Sequence, residues 1–85
     1  MLFRSGVLFQ LGIVRKQQKK YEEAAVAFQR SADADPGNDE VWEDLVASWL
    51  LAGRPDNAKQ AVKELTRIDP ERGKRLAAHL AALTP

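Results

Sequence analysis

Tyr21-Glu22-Glu23-Ala24-Ala25-Val26-Ala27-Phe28-Gln29-Arg30-Ser31-Ala32-Asp33-Ala34-Asp35-Pro36 decides the fold, because the chain returns to its pattern. A shift of 34 residues lays Asp35-Pro36 on Asp69-Pro70, Ala24 on Ala58 and Ala27 on Ala61. Upstream, Leu11 falls on Leu45 and Leu8 on Trp42. A fixed period of this length marks stacked helical hairpins. Such an array presents a surface and has no built-in chemistry.

Outward from that stretch, the apolar spacing is helical throughout. Leu8, Leu11 and Val14 make one stripe, and Tyr21, Ala24, Ala25 and Phe28 a second. Trp42, Leu45 and Trp49 make a third; Ala58, Ala61, Val62 and Leu65 a fourth; Leu76, Leu80 and Leu83 a fifth. No stretch alternates residue by residue, so no strand is expected. Proline and glycine in Asp35-Pro36-Gly37-Asn38 resist helix continuation and make a turn. Asn38 is placed to cap the next helix, with Asp39 and Glu40 at its positive end. Gly53 suits a left-handed C-terminal residue, and Pro55 the first turn that follows. Five helices are predicted, at roughly 4–18, 21–34, 39–52, 55–68 and 71–83.

Eighty-five residues allow one domain with a small core. The net charge of +1 is too weak to make non-specific nucleic-acid binding the default. With no cysteine, disulfides and thiolate metal sites are excluded, and the expected compartment is a reducing, cytoplasmic one. No apolar run is long enough to span a membrane. Arg4, Gln10 and Arg15-Lys16 interrupt the apolar start, so it reads as a first helix rather than a secretion signal. The near-neutral total hides an order. Residues 1–20 hold Arg4, Arg15, Lys16, Lys19 and Lys20 and no acid; residues 31–56 hold seven acids and one base, Arg54; the tail is basic again. Such an order bears on self-association.

The chain resembles the tetratricopeptide repeat family. The first repeat reads Leu8, Leu11-Gly12, Tyr21-Glu22-Glu23-Ala24, Phe28 and Ala34-Asp35-Pro36. The second reads Trp42, Leu45, Trp49, the turn residue Gly53, Ala58 and Ile68-Asp69-Pro70. The resemblance implies an all-α superhelix of two antiparallel helix hairpins plus a capping helix. Repeat one covers about 5–38, repeat two about 39–72 and the terminal helix about 71–83. Small residues such as Gly12 and Ala24 let paired helices approach to about 8–10 Å, and bulky Phe28 and Trp42 fill the spaces between neighbours. Four positions depart from the family pattern. Val46 replaces a small residue, which would splay the second hairpin; Lys19 replaces a hairpin glycine and needs a positive φ or another turn; Arg15 replaces an aromatic, and Ser31 an alanine.

Little in the chain points to catalysis. His79, flanked by Leu76 and Leu80, has no cysteine or activated serine beside it, and Ser5, Ser31 and Ser48 have no recognisable base. No enzyme activity, cofactor or metal site is expected. Glu40, Glu43 and Asp44 crowd one helix, either as a solvated face at a helix N-terminus or as an acidic strip. The resemblance implies the strip reading, because the first helix of each hairpin lines the concave side in that family. Phe9, Gln10, Ile13, Glu40, Glu43, Asp44, Ala47 and Lys74, with Ala77, would then face a protein or peptide partner. Family members that clamp a C-terminal carboxylate use basic groups and asparagine there. Gly6, Gln10, Glu40 and Asp44 stand at those positions here, so a basic or apolar partner is expected. The cluster Arg15, Lys16, Lys19 and Lys20 lacks an aromatic stacking platform and reads as a solvated hairpin tip.

The first helix carries more apolar residues than one partner helix needs. If Leu8 and Leu11 face the hairpin, Phe3, Phe9 and Ile13 are surplus, and three exposed large side chains drive association. Three explanations stand: a preceding repeat of a longer array covers them, the chain forms a homo-oligomer through this helix, or Phe9 and Ile13 floor a peptide groove. A scaffolding module that holds a partner segment and an assembly element are therefore the two function classes the sequence leaves.

Overall fold

A computed structural model describes residues 4–84. Five helices follow one another: α1 (Arg4–Gln17), α2 (Tyr21–Ala34), α3 (Asp39–Leu51), α4 (Pro55–Ile68) and α5 (Pro70–Leu83). No strand interrupts them among the described residues. Each helix packs on the next, and α3 also meets α5. The short axis of the molecule is only 15 Å, against 29 and 27 Å for the others. That thickness fits two helix layers about 10 Å apart.

Local chemistry sets the helix ends. Asn38 accepts a hydrogen bond from the Glu40 N–H at 3.1 Å and caps α3, with Asp39 and Glu40 in its first turn. Asp69 caps α5 in the same way, accepting from the Arg72 N–H at 3.2 Å. The Trp42 indole N–H donates to the Pro36 carbonyl at 3.0 Å and fastens the turn onto α3. The two hairpin tips are built alike. Lys20 N–H donates to Arg15 O and Lys19 N–H to Lys16 O, both at 2.9 Å. Thirty-four residues on, Arg54 N–H donates to Trp49 O and Gly53 N–H to Leu50 O. This double bond pattern needs a left-handed residue at the end of the helix. Gly53 has φ +76° and Lys19 has φ +63°, so the lysine takes the positive φ expected of a glycine replacement.

The core runs through the middle three helices. Ala24, Ala25 and Phe28 of α2, Val41, Trp42, Leu45 and Val46 of α3, and Ala58, Ala61 and Leu65 of α4 are buried, with Leu76 of α5 closing it. Gly12 lets α1 approach, since a β-carbon there would lie 2.5 Å from the Phe28 ring. Val46, in register with Gly12, is fully buried, and α3 and α4 share a smaller contact than α1 and α2. Gly73 does for the last pair what Gly12 does for the first. A β-carbon there would sit 2.4 Å from the Thr66 α-carbon, so α4 and α5 meet backbone to backbone.

The division of α1 differs from the sequence expectation at every described position but Leu8, which is half-buried. Phe9 and Ile13 are half-buried against the core, whereas Val7, Leu11 and Val14 are 57%, 40% and 44% exposed. The cause is Gly12, whose face meets α2 and turns Phe9 inward, 5.7 Å from Phe28 in a tilted ring contact. Phe3, the third residue expected to be surplus, lies outside the described residues.

Candidate interaction surface

Cross-links between helices define two layers. Lys16 Nζ lies 3.6 Å from an Asp44 carboxylate oxygen and ties α1 to α3. Arg72 and Arg75 both reach the Asp39 carboxylate and tie α5 to α3. On the other side, Gln29 of α2 donates to Glu64 of α4 at 3.2 Å. Thus α1, α3 and α5 make one layer, and α2 and α4 the other.

The candidate residues fall along the first layer. Gln10, Glu40, Glu43 and Lys74 are exposed; Phe9, Ile13, Asp44 and Ala47 are half-buried. Glu40, Asp44 and Ala47 share one face of α3, as i, i+4 and i+7 positions do. Asp44 spends its charge on Lys16, which mutes the acidic strip at that point. Glu40 and Glu43 form no ion pair among the described residues. Glu43 instead edges a cleft of about 50 Å³ between α3 and α5, beside Asp39, Trp42 and Arg75. That space admits a few waters and no larger ligand.

Two features escaped the sequence reading. Leu51, 54% exposed, continues the Glu40–Asp44–Ala47 line by one more turn. It borders an open notch with Ile13, Lys16, Gln17 and Tyr21. Helical spacing alone would have found Leu51, but the approach of Lys16 needs the fold. The second feature is the Asp39 cluster. Burial raises the Asp39 pKa, but hydrogen bonds from Arg72 and Arg75 and their positive charge outweigh it and hold the carboxyl below its ordinary value.

No group of three or more His, Cys, Asp or Glu capable of holding a metal ion occurs among the described residues. No helix is long and apolar enough to cross a membrane among those same residues. A family model described as Tetratricopeptide repeat matches residues 16–83. No curated protein and no solved structure gives a significant match.

Proposed function

The chain belongs to the tetratricopeptide repeat family, whose repeats are in general non-catalytic protein–protein interaction modules, and we propose that it holds a peptide or partner helix across the free face of the α1–α3–α5 layer. The observation that carries this reading is the pairing of exposed carboxylates with an apolar notch. Glu40 and Glu43 stand without ion-pair partners among the described residues, and toward the other end of α3 a notch opens between Ile13 of α1, Leu51 of α3 and Tyr21 of α2. A segment with lysine or arginine near an apolar anchor matches both. Phe9, Gln10, Ala47 and Lys74 border the path such a segment would take.

The face is short, so the expected affinity is micromolar, about −8 kcal/mol. The probe is a 12-residue peptide of alternating lysine and leucine pairs, titrated calorimetrically. Glu40→Lys with Glu43→Lys is expected to weaken it by about tenfold or more, since like charges replace attraction. Leu51→Ser should weaken it independently. Unchanged affinity in both variants would remove this face as the binding site.

A further inference from the structure

We propose a second interaction surface, on the outward side of α1 and the edge of α2, that docks an acidic amphipathic helix of a partner protein in the manner that α2 docks on α3. The internal repeat supplies the argument. In register, Val7 corresponds to Val41, Leu8 to Trp42, Leu11 to Leu45 and Val14 to Ser48. The α3 residues are all 2% exposed or less, in the helix on which α2 packs. Their α1 counterparts Val7, Leu11 and Val14 stand open, and Leu8 is half-buried. The chain thus shows the same helix face twice, once covered and once bare. The covered copy shows what fits: a helix carrying small buried residues beside a polar group, as α2 does with Ala25, Ala32 and the Gln29 that reaches α4.

The bare face forms a groove with Leu8, Leu11 and Val26 along its floor, and Arg15, Arg30 and Glu23 at its rim. The rim is where the two copies differ in charge. Arg15 replaces Trp49, and Arg30 replaces Glu64. In the covered copy, Gln29 of the seated helix donates to Glu64. At the bare copy the corresponding group is the Arg30 guanidinium, which can only donate and therefore asks for a carboxylate. Arg15 is 3.5 Å from Glu23, while Arg30 forms no ion pair among the described residues. Glu23 satisfies one of the two arginines, and the visiting helix supplies the acid for the other. A second copy would bring to this groove another Arg15 and Arg30 and no carboxylate beyond Glu23, which Arg15 already engages. The charge pattern therefore favours a different, acidic helix over a second copy.

The test uses a fluorescently labelled peptide of residues 21–34 carrying Gln29→Glu, whose small residues and acids match this description, with anisotropy as the readout. Saturable binding is expected. Leu11→Ser and Arg30→Glu in the intact chain should each weaken it by about tenfold or more. Leu51→Ser, on α3 and outside this groove, should leave it unchanged. A peptide carrying Gln29→Lys should bind more weakly than the glutamate version. Circular dichroism verifies folding, and since Leu11 and Arg30 are both exposed, Arg30→Glu serves alone if Leu11→Ser unfolds. No saturable binding, or binding indifferent to both variants, overturns the proposal. So does self-association in sedimentation that Leu11→Ser abolishes while the peptide fails to bind, an outcome that assigns the face to a second copy.

Discussion

Two single positions show how the repeat tolerates departures from its own pattern. Lys19 holds the left-handed end of α1, a conformation that costs a side-chain-bearing residue roughly 1–2 kcal/mol. Glycine relieves that strain but adds about 0.5–1 kcal/mol of unfolded-chain entropy. Lys19→Gly is therefore expected to stabilise by about 0.5–1 kcal/mol, read as a higher urea midpoint with unchanged slope. Gly12 is the opposite case. Alanine is favoured over glycine inside a helix by about 0.5–1 kcal/mol, but here its methyl would enter the Phe28 ring. Overpacking costs about 1–3 kcal/mol, and with Phe28 fully buried the ring has nowhere to go. Gly12→Ala should destabilise by about 1–2 kcal/mol in the same urea titration; a rise in stability would mean that the α1–α2 crossing is looser than it stands.

Among the helices, α5 depends most visibly on charge. Its apolar anchor is Leu76, and Arg72 and Arg75 clasp Asp39 of α3. The Asp39 pKa is lowered from 3.8 in the folded chain. The contribution is thus complete above pH 3.8 and is lost as the pH falls through the lower folded value. Asp39 is 39% exposed, so solvent screens much of the attraction, and Asp39→Asn should cost only about 0.5–1 kcal/mol at neutral pH. The wild-type advantage over that variant should vanish in acid, which thermal melts across pH 2–7, at roughly one-unit steps, would record. Most of each helix was legible in advance because its ends are local chemistry. Asn38, Gly53 and Asp69 act on neighbours within a few residues, and so does Lys19. The orientation of α1 was not legible. Phe9 with Ile13 and Val7 with Leu11 are both apolar pairs at helical spacing, so periodicity cannot choose between them. The choice is made by Gly12 against Phe28, a contact with another helix. Asp39 and its two arginines, on separate helices, were hidden for the same reason.

At the scale of the whole molecule, the fold exposes two different surfaces. One offers carboxylates and a notch along α1, α3 and α5; the other edge offers bare aliphatic groups and an arginine rim on α1 and α2. The proposed partners carry opposite charge, so the two surfaces select different segments and leave each other free. Each helix touches chiefly its successor, and α5 also reaches back to α3. That nearest-neighbour wiring has a kinetic consequence. No distant ends must find each other before native contacts reward the search, so loop-closure entropy is spent in small steps. Folding is expected to start at any neighbouring helix pair and to propagate to the next, on the microsecond-to-millisecond scale of helical chains.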